Sequence, residues 1–264
     1  MFYVPEEVVV DGNKRVIPVL YASRILKVRF APHCEFPVVE VNQDKWPRKV
    51  KPLGLFSNGC IFIFTPNILN TVEEINKDCE SAGDTALPLG IAVQSFYEKN
   101  YKQAGEKISF NQIYYLVLKH ELGHAKFWRE CQKRNSYLNN DPFVHEVVAW
   151  LHALAESDKN PAVFLDALRQ FDNPSECYVH FGNPMAVAVA LALCPEYAEK
   201  EPSPTLIHRF KKNFFKRALN GDHRSLALQA QKEFDYLIMA DPNKAEQRIY
   251  SMDGLIEQSL LLLQ

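Results

Sequence analysis

The sequence predicts an α+β fold: a small, irregular N-terminal β-sheet followed by a mainly helical body. Roughly the first third consists of β-branched and aromatic runs separated by Pro, Gly and Asn, whereas from Asn70 onward apolar residues recur at helical spacing. Neither part contains an internal repeat or a low-complexity tract. With 264 residues, 47% of them hydrophobic, the chain has enough apolar surface for a core without covalent staples. The simplest organisation is one domain over 1–264, with a β-rich part at 1–69, the chemically informative helices at 70–160 and a helical C-terminal extension at 161–264.

In chain order, residues 7–10, 16–21, 38–41 and 60–65 read as strands. Beyond Asn70, prolines such as Pro142, Pro161, Pro184 and Pro204 punctuate a series of helices. One helix starts at Ser109, where Ser109 and Gln112 form the S-x-x-Q capping box, and runs to about Lys133. Along it Ile113, Val117, His120, His124, Phe127 and Cys131 recur at three- and four-residue steps, so both histidines belong to an inward-facing stripe. A second helix follows the break at 135–140, with Asp141 as N-cap and Pro142 at the first helical position.

Bulk properties exclude several roles. A formal net charge of −2 supplies no global field for nucleic acid or an anionic membrane. No apolar run is long enough to span a bilayer, and the N-terminus lacks a basic region followed by an apolar stretch. The six scattered cysteines, with no CxxC pair, read as reduced thiols. A cytoplasmic protein is expected, whether working in its own cell or delivered into another.

The chemistry concentrates in His120-Glu121-Leu122-Gly123-His124. Two imidazoles one helical turn apart can grip one Zn²⁺ at about 2.0–2.1 Å, and the intervening glutamate is placed to serve as general base. Zinc lowers the pKa of a bound water to about 7, and a neighbouring carboxylate can move its proton to the leaving group. The bland alternative is a pair of core histidines four apart by accident. Gly123 argues against it, because a helix-interior glycine costs about 1 kcal/mol unless something must approach closely.

On these residues the chain resembles the zincin superfamily of zinc metallopeptidases, in which the H-E-x-x-H helix lies beneath a sheet whose edge strand aligns the substrate. The resemblance covers this helix and its neighbours. It implies one Zn²⁺ per chain, a protein or peptide substrate, and Cys60-Ile61-Phe62-Ile63-Phe64-Thr65 as a candidate strand of that sheet. The metzincin branch is disfavoured, because Phe127 and Glu130 stand where its pattern needs Gly and a further ligand. Glu146, on the following helix, looks like the third ligand of the gluzincin branch, though Trp150 replaces the acid that often follows it.

Glu146 also falls on an apolar stripe with Ala149, Trp150 and Ala153, where a carboxylate needs a positive partner. Axial depth favours His152 instead, because His124 lies far before its helix end and Glu146 near the start of the next. His145, His152 and Glu156 therefore stay open as alternatives. Tyr178 and His180 are candidate donors to a developing oxyanion, a role zincins commonly give to Tyr or His, and an ordinary loop pair is the competing account.

Two further features have structural explanations. The basic residues between His208 and Arg224, interleaved with Phe210, Phe214 and Phe215, read first as a solvated face over an aromatic core, and second as a site for an acidic partner. The apolar run at 255–263 reads as a docked terminal helix. Taken together, the residues lead to a zinc metalloprotease with Glu121 as base, and leave as alternatives a zinc hydrolase for another amide or a degenerate zincin kept as a binding module.

Overall fold

A computed structural model describes residues 3–10, 13–20, 23–30, 36–43, 52–57, 59–81, 88–172 and 183–261. It has the expected α+β architecture, with strands first and helices after. Strands β1 (Tyr3–Val10) and β2 (Asn13–Leu20) form an antiparallel hairpin of their own. Strands β3 (Ser23–Phe30), β4 (Pro37–Gln43), β5 (Gly54–Ser57) and β6 (Cys60–Phe64) form a mixed sheet in the order β3-β4-β6-β5.

In that sheet β4 and β6 run parallel, while β3 and β5 pair antiparallel at the two edges. The run Cys60-Ile61-Phe62-Ile63-Phe64 is apolar at every position because β6 is interior and buried on both faces. Val38, Ile61 and Ile63 point into the main core, whereas Val39, Val41, Phe62 and Phe64 pack on the opposite face with Leu55 of β5. Gly59, at φ 71°, allows the tight reversal that pairs Ser57 with Cys60.

The first helix follows β6 directly, and the helices are α1 (Thr65–Ser81), α2 (Pro88–Asn100), α3 (Phe110–Arg134), α4 (Pro142–Leu154), α5 (Pro161–Asp172), α6 (Pro184–Leu193), α7 (Pro204–Asn220), α8 (His223–Met239) and α9 (Pro242–Leu261). Helical structure thus begins at Thr65, slightly before the periodicity change at Asn70 announced it. Strands β3 and β5 are additions to the sequence reading; β5 is only four residues long and too short for a periodic signal.

Helix α3 is central, packing against α1, α4, α5, β5 and β6. α6 is buried along its whole length, which matches its uniformly apolar sequence. On α7 the apolar stripe Ile207, Phe210 and Phe214 is buried while Arg209, Lys212 and Lys216 are exposed, the solvated face expected of it. α9 docks through Ile249, Met252, Leu255 and Ile256. The four described cysteines are free and buried. Among the described residues no helix is long and apolar enough to cross a membrane.

Candidate metal centre

The centre is built where α3 and α4 touch. Ser109 caps α3 and completes the capping box with Gln112, fixing the helix start and so the phase of the stripe that follows. Asp141 caps α4, its Oδ1 accepting from the Phe143 and Val144 backbone N–H groups, and its Oδ2 accepts a hydrogen bond from the Tyr250 hydroxyl of α9 at 2.9 Å. Pairings of Lys119 with His152, Gly123 with Ala149 and His124 with Glu146 run in opposite senses, so the helices are antiparallel.

Axial depth proves no obstacle to Glu146. α3 does not end early; instead a 3-10 turn at Tyr137–Asn140 lies against it and supplies the offset between the helices. The close approach that Gly123 hinted at is real. A Cβ at Gly123 would lie 2.7 Å from the Ala149 Cα and 3.0 Å from its carbonyl oxygen.

At this contact His120 Nε2 and His124 Nε2 are 3.1 Å apart, and they lie 3.3 and 3.5 Å from the two Glu146 carboxylate oxygens. Four-coordinate zinc with bonds of about 2.0–2.1 Å separates its ligand atoms by about 3.3 Å, so the spacing fits such an ion. Glu146 Oε2 is buried and, although 3.3 Å from His120 Nε2, accepts no hydrogen bond among the described residues. A cation is the partner such an oxygen lacks. Among the described residues this trio forms the group of donors able to hold a metal, with all its ligand atoms within 4.8 Å of one another.

The electrostatics agree. Burial pushes the Glu146 carboxyl up, but the imidazoles of His124 and His120 outweigh it and hold the group well below the usual carboxylate range. The Glu146 side chain is 32% exposed as a whole, so the centre remains reachable from solvent.

Comparison of the chain with family models, curated proteins and solved structures finds no match in any of the three. The geometry therefore carries the functional argument.

Glu121 lies beside the donors and outside their set. It is buried, and its carboxyl is pushed up to about 7 by burial first and by the Glu146 charge, against the lowering effects of His124 and the Phe56 backbone N–H. Phe56 belongs to β5, whose Gly54 leaves room for the side chain: a Cβ there would stand 2.6 Å from Glu121 Oε1. Sequence reasoning singled out neither residue. The signals were present in a glycine within the apolar run 53–56 and in Asn58-Gly59, a hairpin dipeptide just before β6. The run 60–65, expected to be a strand of the sheet, supplies its interior strand β6 over Cys60–Phe64, with Thr65 opening α1; the edge strand over α3 is β5.

The alternative ligands are engaged elsewhere. His152 is buried, with Nδ1 2.7 Å from the Lys119 carbonyl oxygen and Nε2 2.8 Å from Lys126 Nζ, which makes it a neutral Nδ1–H tautomer bridging α4 and α3. Glu156 accepts from Lys119 at 2.7 Å and from the Tyr115 hydroxyl at 2.9 Å. His145 Nε2 is 3.1 Å from the Asn139 carbonyl oxygen, and its ring stacks on His124. Trp150 stands four residues after Glu146 and packs its ring against His120, centroids 4.9 Å apart. His120 Nδ1 is correspondingly buried with no hydrogen-bond partner among the described residues, the consequence expected when Trp replaces an acid. Tyr178 and His180 lie outside the described residues.

Proposed function

We propose that the protein is a zinc-dependent hydrolase of peptide bonds, of the zincin type, with His120, His124 and Glu146 as metal ligands and Glu121 as general base. The observation that carries this reading is a buried carboxyl, Glu121, one residue from His120 and facing Gly54 of β5, adjacent to the donor triad but not part of it. Two imidazoles and a carboxylate suit zinc, with a fourth position left for water or substrate.

Zinc held there would supply an acidified water and polarise a substrate carbonyl. Glu121 then performs the proton work: its carboxylate takes the proton lost by the nucleophilic water and returns it to the departing amine nitrogen. Burial under β5, where Gly54 faces the carboxyl, keeps bulk water from competing for that proton. A metal site used only for binding has no need of such a base, so the geometry favours an enzyme over a binding module. The test compares wild type with Glu121→Gln on a protein mixture, counting new N-termini, with metal content measured in parallel. Wild type should generate them, and the variant should keep its metal while losing several orders of magnitude in turnover. Absence of cleavage by the zinc-loaded wild type, or wild-type turnover by the variant, would overturn the proposal.

A further inference from the structure

The seam between β5 and α3 continues beyond Glu121 into a group of three aromatic rings. Phe36 just precedes β4, Phe56 lies on β5 and Trp128 on α3; the centroids are 5.4 Å apart for Phe36 and Phe56, 5.8 Å for Phe56 and Trp128, and 6.4 Å for Phe36 and Trp128. All three pairs meet edge-on. Trp128 is one turn past His124 and two turns past Glu121, so it shares the helix face that carries the base.

Alternation along β5 explains the arrangement. Leu55 turns toward the outer cluster of the sheet, while Gly54 and Phe56 face α3. The first has no side chain, which accommodates Glu121; the second offers its backbone to Glu121 and its ring to Trp128. One strand residue therefore joins the proposed base to the aromatic group.

Phe36 and Phe56 pack against the margin of the main core, but the group is less covered than the rings inside it. Phe62, Phe64, Phe127 and Phe164 are buried, whereas Phe36, Phe56 and Trp128 are each only half-buried. Partly exposed aromatic surface on the same strand face as the proposed base is stabilised when an apolar group covers it, and edge-on rings accept another ring at about 4.5–7 Å.

The geometry points to a specificity subsite: Phe36, Phe56 and Trp128 receive a large apolar side chain, Phe, Tyr, Trp or Leu, of the peptide whose bond lies over Glu121. This rests on the peptidase reading above, and names the class of substrate that reading leaves open.

A peptide series acetyl-Ala-Ala-Xaa-Ala-Ala-amide, with Xaa as Phe, Leu, Ala or Glu, tests it in two arms. One arm follows cleavage by the zinc-loaded wild type; the other measures binding to zinc-loaded Glu121→Gln by calorimetry. The Phe peptide should exceed the Ala peptide by at least about tenfold in both arms, with Glu weakest. Trp128→Ala, placed in each background, should shrink the Phe-to-Ala ratio to about twofold, and Trp128→Phe should retain most of it. If Trp128→Ala does not fold, Phe36→Ala makes the same comparison. A Phe preference in binding without any cleavage would overturn the peptidase reading and keep the subsite. Equal binding of the Phe and Ala peptides, or an undiminished ratio in the alanine variant, would overturn the subsite.

Discussion

Gly123 on α3 lies so near Ala149 on α4 that a Cβ on the glycine would stand 2.7 Å from the Ala149 Cα. That contact sets the distance between the two helices, and the distance sets whether Glu146 reaches the imidazoles. An alanine at this position would raise helix propensity by about 1 kcal/mol, yet the two nearest atoms it meets belong to the Ala149 backbone and cannot swing aside. Gly123→Ala should therefore destabilise the fold by about 1–3 kcal/mol and weaken zinc binding by about tenfold or more. Chemical denaturation and competition with a chromogenic chelator measure the two effects separately.

Substitution distinguishes Glu146 from His152. Glu146→Ala should lower zinc affinity by about 100-fold or more while leaving the helices in place. His152→Ala should leave the metal stoichiometry at one while costing about 2–4 kcal/mol of stability, because it removes a buried ring and abandons the Lys119 carbonyl. Elemental analysis beside thermal melts decides the matter, and the reverse pattern would mean that the third ligand is His152.

Gly54 offers a way to disturb the proposed base without touching the proposed metal ligands. The Cβ of Gly54→Ala would meet Glu121 Oε1 at 2.6 Å and Val117 Cγ1 at 2.7 Å. Displacing Glu121 should reduce turnover by about 100-fold while zinc content stays at that of wild type. Steady-state kinetics with metal analysis on the same preparation checks both halves.

Local rules made the centre legible where the chemistry sits on one helix. The capping box at Ser109 and the N-cap at Asp141 fall where the residues themselves place them. His120 and His124 follow from helical periodicity, and Gly123 signalled a close neighbour. Glu146 was ambiguous for a physical reason: helix phase fixes which side a residue occupies, but relative depth depends on the turn between helices. The 3-10 turn at Tyr137–Asn140, invisible to periodicity, settles that depth. Strand β5 escaped because four residues contain too few alternations, and its importance lies in its packing against α3, a contact distant in sequence that no local pattern encodes. Glu121's partners on it, Gly54 and Phe56, could emerge only from the folded chain.

Acid stability provides another check. Burial, then the Lys126 charge, lowers the His152 pKa to about 3 from its ordinary 6.5. The unfolded chain thus binds a proton that the folded one refuses. The stability that the neutral ring contributes is complete above pH 6.5 and is lost as pH falls toward 3, by up to about 1.4 kcal/mol per pH unit. His145, lowered to about 4, acts in the same direction, while Glu121, raised to about 7, loses stability as pH rises from 4.5. Comparing metal-free wild type with His152→Gln isolates one proton: urea melts between about pH 7 and pH 4.5 should show a shallower pH dependence in the variant. Equal slopes would place His152 in contact with solvent.

The donor triad comes from two consecutive helices, whereas the strand that covers Glu121 precedes them and must return from far along the chain. Contacts close in sequence form at a lower entropic cost and generally earlier than distant pairings. A folding intermediate with α3 against α4 would already gather His120, His124 and Glu146, while Glu121 stood in water as an ordinary surface acid. Its proton affinity rises chiefly through the burial that β5 completes. Under the function proposed above, the donor set is then gathered before the base is tuned, so metal capture and proton transfer would be acquired at separate stages of folding.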